Sequence, residues 1–348
     1  MENSKSEWYI GIDLLKAIAI FGVVIIHTCG AGYSNPISSF DWLSSVFWGS
    51  IARASVPIFF MCSGALLLNP KKELSIHRLY TKNLLRIVLS MCIWALVYKA
   101  YHLIVAGTYS LHDIFQAIKE VLLFKQEFHL YFLHIMVIVY VFLPITRVIT
   151  KHSTKKELRY SLAVWFLLGI VYPTVRPFWP VTLLSGIPVQ WMLNMTYAAI
   201  GYGLLGYYLS QHLISLKRSV LFLAIGFLGV FGGTIFMSMR TETLYQNFLE
   251  GMSVGVALLA IGIFGLCYNL KSSIGKKTAQ VISKLSKASF CIYLVHVLWL
   301  YFFDFLGISV NGFPCLISIP LISCLNLALS YCTFLLLSKI PLIRRWLI

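Results

Sequence analysis

Apolar residues in this chain gather into long runs separated by short polar connections. The runs recur at about 10–29, 43–69, 84–106, 128–149, 158–174, 188–209, 219–239, 251–269, 286–306 and 315–338. A helix of about 20 apolar residues crosses a hydrocarbon core about 30 Å thick. The pattern predicts an all-α polytopic membrane protein of about ten transmembrane helices, the run at 158–174 being the shortest. No internal repeat and no Pro-, Gly- or Ser-rich linker divides the chain, so 1–348 reads as a single integral-membrane domain. The first run, Trp8 to Cys29, is too long and too charged for the apolar part of a signal peptide, and no Ala-x-Ala site follows it. It is expected to remain as the first transmembrane helix.

Two connections carry patterns of their own. Within 107–127, Leu111, Ile114, Phe115, Ile118, Val121 and Leu122 fall at helical spacing, which predicts an amphipathic helix lying in the membrane interface. The stretch 173–187, with Pro173, Pro177 and Pro180 and with Pro188 beside it, predicts an ordered but irregular loop.

Composition supports the membrane reading. The 348 residues are 59% hydrophobic and only 11% charged, against about 25% charged in a soluble domain, and the mean hydropathy is +0.82. A net charge of +16 raises the question of a nucleic-acid partner. The positions of the cations answer it. Lys5 and the segments 71–86, 147–159, 217–218, 271–287 and 339–345 hold 21 of the 28 Lys and Arg residues. The alternate connections hold four, Lys119, Lys125, Arg176 and Arg240. That alternation is the positive-inside pattern and predicts both termini on the cytoplasmic side of the cell (inner) membrane. The excess charge reflects topology, and no nucleic acid is expected. The eight cysteines never form a CxxC pair and sit in or beside apolar runs, so they read as small membrane-core residues.

Ionisable groups inside the runs are where chemistry is expected, because lipid cannot satisfy them. The first run holds Asp13, Lys16 and His27. Lys16 and His27 are eleven residues apart, which on a helix places them on one face and roughly 16 Å apart along the axis. Asp13 is spaced to pair with Lys16 at i+3. In the second run, Arg53 precedes Pro57, whose missing N–H frees the carbonyl of Arg53. Arg53 either faces a ligand or pairs with a neighbouring carboxylate at a kink. Arg78, Lys82 and Arg86 follow i, i+4, i+8 and would form one basic stripe suited to a polyphosphate, although connections on that side are basic in any case. His129 falls near the level expected for His27, so the two are a candidate proton-handling pair with Glu127 as a candidate orienting group. His102 and His134 read as ordinary interfacial side chains. Tyr293 and His296 share a helical face, either satisfying each other or lining a channel. There is no Walker loop, GxGxxG or HExxH, and no metal is expected.

Together these stretches resemble the acyltransferase-3 family of ten-helix membrane acyltransferases, particularly its short members that O-acetylate surface sugars. The first helix is similar to the family's Arg-x10-His pattern, with Lys16 in the Arg position and His27 in place. Arg53 to Gly64 resembles its Arg-x3-Pro-x-Phe-Phe-x2-Ser-Gly stretch, and Lys82 and Arg86 resemble its basic motif. Phe128 to Leu133 resembles His-Leu-Trp-Phe-Leu with Tyr131 in place of Trp, and Ile292 to His296 matches Ile-Tyr-Leu-x-His. The matches extend from the first run to the ninth. Lysine at position 16 keeps the charge but lacks the bidentate fork of arginine, so donor contacts there are expected to differ.

The resemblance implies an acyl-CoA donor, with acetyl-CoA first in line, a hydroxyl acceptor on a saccharide or lipid-linked sugar, and His27 as general base. Combined with the residue pattern, it places the donor phosphates on Arg78, Lys82 and Arg86, and the pantetheine arm along Lys16, Tyr293 and His296. Arg53, with Tyr131 or Tyr293, is then a candidate to stabilise the oxyanion, beside His129. An acyl-enzyme route stays open. So do two other classes, a small-molecule or amino-acid transporter on the same fold and a scaffold of a polysaccharide assembly machine. The basic stripe and His27 have no evident use in a scaffold.

Overall fold

A computed structural model describes residues 9–348; Lys5 and Trp8 lie outside the described residues. Among the described residues every regular element is helical. In chain order the principal helices are α1 (Tyr9–Gly32), α2 (Phe40–Ala52), α3 (Ser55–Leu67), α4 (Leu85–Ala106) and α5 (Leu111–Leu122). They are followed by α6 (Tyr131–His152), α7 (Lys155–Phe166), α8 (Met195–Gln211) and α9 (Leu216–Thr241). Then come α10 (Val254–Leu270), α11 (Lys276–Phe305), α12 (Cys315–Leu337) and α13 (Pro341–Trp346).

Nine continuous helical stretches among the described residues are long and apolar enough to cross a membrane. The remaining run, the sixth, expected at 188–209, behaves differently. Its first part is a 3-10 turn, Ile187–Trp191, and the helix proper starts only at Met195, where the Asn194 side chain accepts from the Tyr197 N–H and caps it. Pro188 cannot supply a helical N–H, so the run splits there. The resulting α8 has 17 residues, most of them buried against other helices.

Helix α1 occupies the centre of the bundle. It packs against α2, α3, α10, α11 and α12, and its spanning window is 56% buried, whereas that of α9 is 17% buried. The outer surface of α9, including Leu221, Ile225, Leu228 and Phe236, is exposed, as a lipid-facing helix requires. Close approach is achieved with glycine. A Cβ on Gly64 of α3 would overlap the backbone of Gly203 in α8, and a Cβ on Gly206 would overlap the backbone of Met61. The two helices therefore meet backbone to backbone, the small-residue packing that replaces hydrophobic driving force inside a bilayer.

Helix starts are set by side-chain caps. Ser39 caps α2, and the pairs Ser110/Asp113 and Thr154/Glu157 form capping boxes on α5 and α7. The span containing α2 and α3 breaks at Arg53–Ala54, three residues before Pro57, as the proline predicts. The helix expected in 107–127 is α5. It keeps Ala117 and Val121 buried and leaves Leu111, Phe115 and Leu122 exposed, the surface an interfacial helix presents to lipid. Lys99 of α4 binds Glu120 of α5 at 2.6 Å, and hydrogen bonds from Lys99 and Gln116 hold the Glu120 carboxyl below the usual carboxylate range. All eight cysteines are free.

The α3/α8 contact generates a prediction. Gly64→Val, which must displace the backbone of α8, should cost about 1–3 kcal/mol or more. Gly232→Ala, where a Cβ meets nothing within 4 Å, should not. Unfolding midpoints in detergent distinguish the two, and equal midpoints would refute the backbone contact.

Candidate functional site

The face of α1 carrying Lys16 and His27 lines a cavity of about 1080 Å³. Its other walls come from the α2/α3 break, the helical stretch leading into α4, the start of α6, and α11. The same-face spacing read from the sequence thus corresponds to a lined cavity and not to a packed seam. At one end of it are five cations, Lys16, Lys82, Arg86, Lys287 and Arg345. At the other are His27, Arg53, His129 and Tyr131, with Glu250 as the sole carboxylate in the lining.

Three histidines meet beside this far end. The ring of His27 lies 5.1 Å from that of His296 and 6.3 Å from that of His129, and His129 and His296 are 5.4 Å apart. His129 enters on a 3-10 turn, Phe128–Leu130, ahead of α6. Tyr293 fixes that turn by donating its hydroxyl to the His129 carbonyl at 2.6 Å, while the Tyr98 ring packs edge-on against the imidazole at 4.9 Å. Tyr98 in turn donates to the Leu294 carbonyl at 2.8 Å, so α4 and α11 are locked around the histidine. Both imidazole nitrogens of His129 are buried without a protein partner, as is Nε of Arg53. Buried polar atoms left open in this way are expected where a ligand or water completes the bonding.

His296 belongs to the same group but is fully buried and does not line the cavity. Its Nδ1 lies 2.7 Å from the Tyr293 carbonyl, so that nitrogen donates and the neutral ring carries its lone pair on Nε2, which has no protein partner. His296 therefore stands behind His27 with its Nε2 open, in contrast to the channel-wall placement one reading of the sequence gave it.

The basic stripe is divided. Lys82 and Arg86 line the cavity and Arg78 does not. The reason is local. Residues Leu79–Leu84 form a π-helical stretch between a short α-turn and α4, and its wider turn breaks the i, i+4 alignment on which the three-residue stripe depended. Arg86 also donates to the Ile348 carbonyl and lies over the Phe290 ring at 5.4 Å.

Two expected pairings are replaced. Asp13 makes no ion pair with Lys16 and accepts instead from Ser286 Oγ at 2.6 Å, which leaves Lys16 to the cavity. Glu127 orients neither His27 nor His129. Its carboxylate binds His102 at 2.8 Å and Tyr301 at 2.8 Å, so His102 has a partner and is not a free interfacial side chain. His134, by contrast, does line the cavity. Sequence reasoning did not single out Glu250, Lys287 or Arg345. Lys287 lies within the stretch Ser286 to His296 and could have been found by its helical register, whereas Glu250 and Arg345 carried no local signal.

Among the described residues no group of His, Cys, Asp and Glu is arranged to hold a metal ion. What the geometry offers is a cation-rich end connected to an end with unpartnered imidazole and guanidinium nitrogens. The sequence profile of a family described as "Acyltransferase domain" matches residues 9–335. The chain belongs to this family, acyltransferase-3, and is a membrane acyltransferase. No curated protein and no solved structure matches it.

His296→Phe, which replaces the imidazole packed behind His27 with an apolar ring, should lower kcat by roughly 10²-fold, with the KM for an acyl donor little changed. Steady-state kinetics decide the point, and an unchanged kcat would assign His296 a packing role only.

Proposed function

We propose that this protein transfers an acyl group, acetyl in the first instance, from cytoplasmic acyl-CoA to a hydroxyl of a saccharide or lipid-linked sugar at the opposite face of the cell membrane. The observation that carries the reading is the single cavity joining five cations to His27. Lys16, Lys82, Arg86, Lys287 and Arg345 suit the phosphates of coenzyme A, which need several cations and no competing carboxylate. The distance of roughly 16 Å along α1 from Lys16 to His27 suits an extended pantetheine arm reaching from phosphate to thioester.

At the far end His27 takes the proton of the acceptor hydroxyl as its oxygen attacks the thioester carbonyl. The carbonyl electrons move onto oxygen, and the negative charge falls near Arg53, whose buried Nε has no other acceptor. Tyr131 is free to add a second donor, whereas Tyr293 is committed to the His129 carbonyl. Collapse of the tetrahedral species breaks the C–S bond, and the imidazolium returns its proton to the departing thiolate. The products are an O-acyl acceptor and free coenzyme A. His129 and His296 are buried among the helices, which keeps bulk water from that side of His27 and limits loss of the acyl group to hydrolysis.

His27→Ala should reduce transfer by roughly 10²- to 10⁴-fold while its elution profile and unfolding midpoint stay parental. A folded variant that acylates at the parental rate would remove His27 from the reaction. Lys82→Ala with Arg86→Ala should raise the KM for acetyl-CoA by roughly tenfold or more, with a smaller effect on kcat. A KM equal to the parent's would place the donor phosphates elsewhere.

A further inference from the structure

A second hollow of about 810 Å³ lies beyond the histidine end of the main cavity, between the irregular segment 173–194 and residues 247–252. The two spaces share Met195 and Glu250 in their walls. Gly251 sits at this junction. A Cβ there would come within 2.8 Å of Met195 Cε, and Tyr202 donates to the Gly251 carbonyl at 2.6 Å. The wall common to the two spaces is thus tightly packed and held in place from α8.

The walls are prebuilt. Asn247 Nδ2 donates to the Thr174 carbonyl at 3.1 Å, and the Val254 N–H donates to Thr174 Oγ1 at 3.0 Å, which pins the two loops together. Several polar groups are left over. No protein donor reaches Asn247 Oδ1 or the Glu250 carboxylate, and no protein hydrogen bond engages the side-chain hydroxyl of Thr182 or Ser185. The Arg176 guanidinium has no carboxylate partner, and its Nη1 lies 4.0 Å from Met192 Sδ. These groups alternate with prolines and aliphatic side chains of the same segment.

We propose that this hollow is the acceptor subsite and takes a pyranose ring of a saccharide, an inference that rests on the acyl-transfer reading above. The volume falls within the range of about 300–1,000 Å³ usual for small-molecule sites. A pyranose presents hydroxyls around its edge and C–H groups on its faces. Amide, carboxylate and guanidinium groups interspersed with prolines and aliphatic side chains match both. One cation does not make a polyphosphate site, so the hollow differs in kind from the basic end of the main cavity. The junction at Glu250 and Met195 directs a hydroxyl of the bound sugar toward His27, with Glu250 as the group common to both spaces.

The test uses the full-length protein in nanodiscs with labelled acetyl-CoA and methyl hexopyranosides as probe acceptors. It reads acetyl transfer to the glycoside and release of coenzyme A separately. Ser185→Trp, which fills the hollow, and Arg176→Ala, which only removes a donor, should each raise the KM for the glycoside roughly tenfold. The KM for acetyl-CoA should stay within about twofold. A glycoside KM equal to the parent's in both variants would overturn the subsite while leaving the transferase reading intact. Coenzyme A release without transfer to any methyl hexopyranoside by the parent protein would overturn the sugar assignment. Neither transfer nor release by the parent would overturn the acyl-CoA reading itself, and the subsite with it.

Discussion

An ionisable side chain on a membrane-spanning helix has to be solvated by protein or by enclosed water. That requirement falls most heavily on α1, which carries Asp13, Lys16 and His27 through the middle of the bundle. Had α1 been a peripheral helix like α9, these groups would have faced lipid. Surrounding it with α2, α3, α10, α11 and α12 gives Asp13 a partner in Ser286 and gives Lys16 and His27 a polar cavity. The architecture follows from where those three side chains must be.

Enclosing a cavity this large in an apolar bundle requires rigidity elsewhere. The glycine contact between α3 and α8 supplies some of it, since helices that meet backbone to backbone cannot slide without losing dispersion contacts along their length. Tyrosine hydroxyls supply more. Tyr98, Tyr293 and Tyr202 each donate to a backbone carbonyl on another segment, so the turn bearing His129, the helix bearing His296 and the loop bearing Glu250 are fixed by hydrogen bonds of 2.6 to 2.8 Å. In a medium where such bonds have no water to compete with, each one restrains its segment firmly.

How much of this could be read from the sequence follows from the range of each signal. Hydropathy is a local property summed over a span, so nine spans, the proline break beside Arg53 and the amphipathic helix α5 were all legible. The Lys16–His27 face was legible because helical geometry is regular. The stripe of Arg78, Lys82 and Arg86 failed at one member because regularity itself failed, in the π-helical stretch Leu79–Leu84. Choices among partners were not legible either. Asp13 prefers Ser286, 273 residues away, to a lysine three residues away, and Glu127 takes Tyr301 and His102 over the neighbouring His129. Such choices depend on which helices become neighbours. Glu250 and Arg345 reach the cavity for the same reason, from a connecting loop and a terminal helix that no periodicity marks.

Glu250, Lys287 and Arg345, which escaped sequence reasoning, share the two ends of the cavity with residues that the sequence did mark, Lys16, Lys82 and Arg86 at one end and His27 and Arg53 at the other. This distribution has a chemical sense. Lys16 and His27 sit on the long central helix α1 and Arg53 at the α2/α3 break packed beside it, a frame rigid enough for the proposed proton transfer and charge stabilisation, both steep functions of distance. Glu250 comes from a connecting loop and Arg345 from a short terminal helix, where binding tolerates more variation in position. A bundle with a rigid central helix can keep one reaction in place while loop-borne groups that recognise what enters change independently.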